Sequence, residues 1–134
     1  MSPNEKNNVI PIRRTDKFSV MTGKLHQDGS IEELFQVGNA YLKPGGKTFR
    51  LKFWMFPTQS YFITREDDSD SLYSILSIEE YLSPNLEPKT VWRKVGTGVV
   101  MGNYIRLTFF MLGEEFYLSL FPDKAESKEE LIAS

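Results

Sequence analysis

Two stretches of this chain alternate apolar with other side chains, "TFRLKFWMF" from Thr48 to Phe56 and "YIRLTFFML" from Tyr104 to Leu112. Successive side chains of a β-strand point to opposite faces, so this alternation predicts strands with one buried face. Similar runs recur along the chain and are separated by short turns rich in glycine and proline, such as "DGS" and "KPGGK". Strands joined by short turns pair as antiparallel meanders.

The pattern predicts strands over residues 18–25, 31–42, 48–56, 60–65, 90–100, 104–112 and 115–121. Between the fourth and fifth strands, Leu72, Ile75, Leu76, Glu79 and Leu82 follow a helical spacing that ends before Pro84. A second, short helix is predicted from Lys124 onward. The predicted fold is therefore mainly β, of the α+β class: two antiparallel β-meander repeats with about seven strands, one helix between them and a short C-terminal helix.

The two alternating stretches also resemble each other in sequence. At a separation of 56 positions, Arg50 matches Arg106, Phe53 matches Phe109 and Tyr61 matches Tyr117. The match predicts an internal repeat in which each three-stranded unit needs a second copy or a partner chain to cover its apolar face. We therefore expect a single domain over residues 17–134 made of two related halves, 17–84 and 89–134. Residues 1–16, polar and containing Pro3 and Pro11, are expected to form a flexible arm.

Charge and composition limit the classes of function. The net charge is −2, yet residues 1–65 carry ten basic and five acidic side chains, whereas residues 66–134 carry six basic and thirteen acidic ones. A basic first half is compatible with a polyanionic partner. The chain has no cysteine, and no apolar run approaches the length of a membrane span. We expect a cytoplasmic protein without a membrane partner.

One face of the alternating strands mixes aromatic and basic residues, and this is the candidate binding surface. Nucleobases stack on exposed aromatic rings while arginine and lysine neutralise phosphates, so the predicted function is single-stranded DNA or RNA binding. The candidate nucleic-acid-binding residues are Arg50, Lys52, Trp54, Tyr61 and Arg65 in the first half, and Tyr104, Arg106, Phe110 and Tyr117 in the second.

The alternative interpretation is that this face is covered. Its aromatic residues would then be core, and its arginines would pair with carboxylates such as those of Glu114 and Glu115. Aromatic and arginine side chains also suit a subunit interface. On that interpretation the protein is a non-catalytic interaction or structural subunit, either a homodimer or the partner of another protein.

The order of elements also resembles that of PUR-repeat and Whirly proteins. The segments that carry the resemblance are "TFRLKFWMFPTQSYFITR" with the predicted helix at 71–82, and "NYIRLTFFMLGEEFYLSLF" with the tail. Proteins of those families bind single-stranded nucleic acids with two units of β-sheet and helix. The resemblance therefore implies the same class of ligand, although it transfers no individual site residue.

Catalytic and metal-binding patterns are weak in this sequence. His26 is the only histidine and lies beside a turn, and no serine lies in a nucleophile elbow. The acidic run "DDSD" lacks the glycine and the distal glutamate of a calcium loop. We expect neither an enzyme nor a bound metal or cofactor.

Overall fold

The computed structural model describes residues 15–67 and 69–122, which form one closed antiparallel barrel. Eight strands follow one another around the barrel, and the first pairs with the last. They are β1 (Asp16–Leu25), β2 (Ile31–Leu42), β3 (Thr48–Phe53), β4 (Tyr61–Arg65), β5 (Leu72–Leu82), β6 (Pro88–Met101), β7 (Tyr104–Phe109) and β8 (Glu115–Pro122).

The helix predicted between the two halves is wrong, because residues 72–82 form strand β5. This strand pairs with β4 on one side and with β6 on the other, and Ile75 at its centre is fully buried. Short apolar runs fit both helical and extended periods, and the choice is made by pairing with neighbouring strands. Two hydrogen-bonded neighbours hold the segment extended.

The predicted fold class is therefore corrected to all-β over the described residues, with eight strands in one sheet and no helix. The two separate meanders are likewise replaced by one barrel, in which closure leaves no sheet edge along the paired wall. The C-terminal helix predicted from Lys124 and most of the predicted arm at 1–16 lie outside the described residues. Within 15–67 and 69–122, no helix is long and apolar enough to cross a membrane.

The barrel interior is filled by one layer of alternating side chains from every strand. Leu51 pairs with Ala40, and both are fully buried. The core residues that point inward and have no exposed surface are Val20, Ala40, Leu51, Ile63, Ile75, Ile105, Leu107 and Leu118. Burial of these side chains drives closure of the barrel.

Strands β3 and β7, which carry the similar sequences, lie four positions apart in the ring of eight and therefore face each other. The rings of Phe53 and Phe109 meet with centroids 5.4 Å apart. The residue that follows each strand hydrogen-bonds to the strand before it in the chain. Trp54 N donates to Val37 O of β2, and Phe110 N donates to Val95 O of β6, both at 2.9 Å. Duplication as the origin of the similarity stays a prediction.

The ungapped match fails at β4 and β8. Leu51 pairs with Tyr61, whereas Leu107 pairs with Phe116 rather than with Tyr117. The paired residues Leu107 and Phe116 are thus one position closer in sequence than the paired residues Leu51 and Tyr61. Tyr61 and Tyr117 consequently occupy opposite faces of the sheet.

Candidate nucleic-acid interface

The alternation of β3 and β7 sorts their side chains as the sequence predicts, but only to the last strand residue. Phe53 and Phe109 point inward and are 6% exposed. A continued period of two would place Met55 and Met111 on the same inward face, but they are 80% and 95% exposed. The strands end at Phe53 and Phe109, and the chain turns there, so the period no longer determines direction.

Arg50, Lys52 and Trp54 lie together on the outer wall of the barrel, as predicted. They line one groove with Tyr41 and Pro57. Trp54 follows the end of β3, and its indole N–H donates to Oδ1 of the buried Asn39 at 3.1 Å. This hydrogen bond holds the indole near the outer wall while 56% of the residue stays exposed.

A second groove continues this surface toward the turn between β2 and β3. Arg50 stacks over the ring of Tyr41 with its guanidinium carbon 5.4 Å from the ring centroid. Both residues also line the second groove, together with Lys43, Lys47 and Phe62. We call the combined surface the basic face: Tyr41, Lys43, Lys47, Arg50, Lys52, Trp54 and Phe62.

The charge of the basic face is one-sided. Of the described residues that line its two grooves, none is acidic. Lys52 donates to the carbonyl of Pro57 at 3.1 Å, a contact that leaves its positive charge uncompensated by that partner. The face ends where Lys47 borders the acidic connection between β4 and β5, which carries Glu66 and Asp70. Such a surface attracts polyanions.

Two candidates from the first half lie off the basic face. Tyr61 packs inside the barrel against Phe53 and Phe109, with ring centroids 6.0 and 5.7 Å away. Its neighbour Phe62 points outward in its place and pairs with Arg50. Arg65 lies at the far end of β4, 3.6 Å from a carboxylate oxygen of Asp70.

Of the second-half candidates, Tyr117 is buried, Tyr104 and Arg106 are half-buried, and Phe110 is exposed. Tyr117 is 1% exposed, and Tyr104 contacts its ring at 6.4 Å. The backbone of Gly23 runs against the ring of Tyr117, since a Cβ there would lie 3.1 Å from a ring carbon. The hairpin of β1 and β2 therefore lies over the outer wall here, and its Glu33 accepts a hydrogen bond from the Tyr104 hydroxyl at 2.6 Å.

Acidic side chains also neutralise the second-half arginine. Nε of Arg106 lies 3.8 Å from a carboxylate oxygen of Glu115, and this buried nitrogen has no hydrogen-bond partner among the described residues. Phe110 is 62% exposed and follows the end of β7. The aromatic and basic face predicted twice is thus open once, on the first half.

Cations of β6 are paired as well. Arg93 forms an ion pair with Glu79, and Lys94 lies 3.2 Å from Glu66. Hydrogen bonds from Ser74 and then from Lys94 lower the pKa of Glu66. The cations of β6 are therefore paired with carboxylates, whereas no acidic residue lines the grooves of the basic face.

The hydrogen bond from Tyr104 to Glu33 has a measurable consequence. It raises the pKa of Tyr104 to about 12, with burial as a smaller cause. Because the folded pKa lies above the ordinary tyrosine pKa of 10.0, this contribution to stability is present below pH 10 and is lost as the pH rises toward 12. Burial also raises the pKa of Tyr117, so we expect ultraviolet titration of tyrosinate to show late-ionising tyrosines, of which Tyr104→Phe removes one. A Glu33→Gln variant should ionise earlier; unchanged titration in both would contradict the contact.

Two aromatic residues of the basic face that sequence reasoning missed, Tyr41 and Phe62, lie on strands next to β3, and two missed lysines lie in the turn before it. Tyr41, Arg50 and Phe62 align across β2, β3 and β4 in register. Only the pairing reveals this row. The lysines flanking the Pro44-Gly45 turn were visible in the sequence as a cationic pair close to β3.

The described part of the chain offers no cluster of metal ligands beside this surface. Among residues 15–67 and 69–122, no group of three or more histidine and acidic side chains could hold a metal ion. His26 lies 3.0 Å from Glu32 at an exposed turn.

Comparisons with known proteins give no family for the chain: no family model, no curated protein and no solved structure matches it. The resemblance to PUR-repeat and Whirly proteins stays a prediction. Any function must therefore be argued from the basic face itself.

Proposed function

We propose that this protein binds single-stranded nucleic acid on the basic face. The observation that supports the proposal is the outer surface of β2 to β4, where Arg50, Lys52 and two lysines surround one exposed and two half-buried aromatic rings without an acidic lining residue. Phosphates would bind the cations, and bases would stack on the rings. Single strands fit better than duplex because only unpaired bases expose their faces to a flat ring.

Trp54 is the main stacking platform in this proposal. Its orientation is fixed by Asn39, so little side-chain entropy is lost when a base stacks on it. Arg50 is already held over Tyr41, which presents a preorganised cation close to the platform. The extended segment from Thr48 to Trp54, which is β3 and the residue after it, spans about 20 Å. This length accommodates a few nucleotides of an extended strand.

Removal of the central cations tests the proposal. Fluorescence anisotropy with labelled oligo-dT and oligo-U is expected to show binding that weakens as salt rises. The double variant Arg50→Ala, Lys52→Ala is expected to weaken binding roughly tenfold or more and to lower the salt slope by about one per lost phosphate contact. Arg93→Ala is the matched control, because Arg93 is also exposed on the outer wall but pairs with Glu79.

A tryptophan variant separates stacking from charge. Trp54→Leu keeps apolar bulk but removes the π-face, and we expect a loss corresponding to about 1–3 kcal/mol with an unchanged salt slope. Circular dichroism verifies the fold of each variant. Absence of binding at low salt, or equal losses in the Arg93→Ala control, would contradict the proposal.

A further inference from the structure

One end of the barrel is closed by aromatic rings. Phe53, Tyr61, Phe109 and Phe116 meet there, with centroid distances from 5.2 to 6.0 Å. The connections from β3 to β4 and from β7 to β8 begin at this plug, because the two strands end at Phe53 and Phe109. We call this end the mouth.

Two similar turns at the mouth expose consecutive apolar side chains. Phe56 N donates to Phe53 O at 3.1 Å, and Leu112 N donates to Phe109 O at 3.2 Å. We define the mouth loops as residues 55–56 and 110–112. Their side chains, between 42% and 95% exposed, are Met55, Phe56, Phe110, Met111 and Leu112. Connections normally carry polar residues, so this composition needs an explanation.

The size of the apolar surface matches a protein interface. Taking roughly 200 Å² for each fully exposed side chain, the mouth loops expose about 650 Å². The largest apolar patch of a typical monomer is about 300–600 Å². One partner of a stable complex contributes about 800 Å², a little over half of it apolar. The mouth therefore carries the apolar share of one side of an interface.

The charges beside the two mouth loops are opposite in sign. Lys52 reaches the carbonyl of Pro57 beside the first loop, and the exposed Glu114 follows the second. The loops lie on opposite sides of the plug, since β3 and β7 face each other. If the first loop of one copy lies on the second loop of another, Lys52 of each copy lies near Glu114 of the other. The dimer then contains two such lysine–glutamate pairs. A twofold interface requires this self-complementarity.

We propose that the mouth binds a second copy of this chain, forming a symmetric dimer in which residues 55–56 of each protomer pack on residues 110–112 of its partner. The proposal does not depend on nucleic-acid binding. Trp54 lies back on the outer wall against Asn39, and Lys52 is the residue of the basic face that borders the interface.

Oligomeric state under mouth substitutions tests the dimer. Sedimentation velocity of the full chain at micromolar concentration is expected to show a dimer. The double variant Met55→Asp, Met111→Asp is expected to be monomeric, because it introduces four carboxylates into one small interface. Phe121→Asp is the control: Phe121 is 60% exposed but lies near the end of β8, at the opposite end of the barrel. This control should remain dimeric.

A charge exchange tests the orientation. Lys52→Glu and Glu114→Lys are each expected to weaken dimerisation about three- to tenfold, and the double variant is expected to restore it. If the double variant does not restore dimerisation, the proposed packing of residues 55–56 on the partner's residues 110–112 is wrong. The dimer itself would be overturned if the protein is a monomer at every concentration, or a monomer that co-sediments with phosphatidylcholine vesicles. It would also be overturned if the Met55→Asp, Met111→Asp variant dimerises as strongly as the unsubstituted protein. Anisotropy with oligonucleotide is measured on the Met55→Asp, Met111→Asp variant, which leaves every residue of the basic face intact, and so distinguishes failure of the dimer from failure of the basic face.

Discussion

Alanine in place of Gly38 or Gly96 is expected to lower the free energy of unfolding by about 3 kcal/mol or more in each case. A Cβ at Gly38 would collide with the carbonyl oxygen of Lys52 and lie 3.1 Å from Cα of Phe53. A Cβ at Gly96 would collide in the same way with the carbonyl oxygen of Thr108 and lie 3.1 Å from Cα of Phe109. These obstacles are backbone atoms in a paired strand, so they cannot move without breaking the ladder.

Urea unfolding followed by circular dichroism measures this effect. Gly113→Ala is the matched control, because a Cβ at Gly113 has nothing within 4 Å. We expect the control to stay within about 0.5 kcal/mol of the unsubstituted protein. Equal unfolding midpoints for all three variants would show that β2 and β3, and β6 and β7, do not approach as closely as described.

Phe53→Ala is expected to cost about 3–5 kcal/mol of stability. Phe53 is 6% exposed and contacts the rings of Tyr61, Phe109 and Phe116 within 6.0 Å. Truncation removes the central ring of the plug and leaves a cavity that neighbouring strands of a closed barrel cannot fill. Because these contacts join β3 to β4, β7 and β8, the loss affects the whole barrel.

The control for this substitution is Phe121→Ala, which removes the same atoms from an exposed position near the end of β8. We expect thermal unfolding to show a large decrease in midpoint for Phe53→Ala and a small one for Phe121→Ala. Similar decreases would mean that Phe53 is not packed inside a ring plug.

The strand positions could be predicted largely from alternation, because inward side chains of β3 and β7 follow a period of two. Segment 72–82 was misassigned because its spacing of leucine and isoleucine also fits a helix. Its extended form depends on Ile75 pairing with Ile63 of β4 and with Gly96 of β6. Those are long-range choices that a local pattern does not encode.

Barrel closure was also outside the reach of local patterns. It depends on pairing between β1 and β8, in which Val20 opposes Leu118 about a hundred residues later in the chain. The sequence shows that both strands have an apolar face, but not that they are neighbours. The separate-meander prediction failed for this reason.

The candidate surface was predicted in part. Arg50, Lys52 and Trp54 could be grouped because they belong to one strand and its end. Phe62 could not be distinguished from Tyr61, since the direction of β4 depends on its register with β3. Coverage of Tyr117 depends on the path of the β1–β2 hairpin, which brings Glu33 to Tyr104.

The central claim is that one open face, that of β2 to β4, binds single-stranded nucleic acid. Titration of isotope-labelled protein with oligo-dT, followed by backbone amide chemical shifts, tests it most directly. We expect the largest shifts at residues 41–54 and Phe62, with little change around Tyr104 and Arg106. Shifts centred on β7 and β8, or no shifts at low salt, would contradict it.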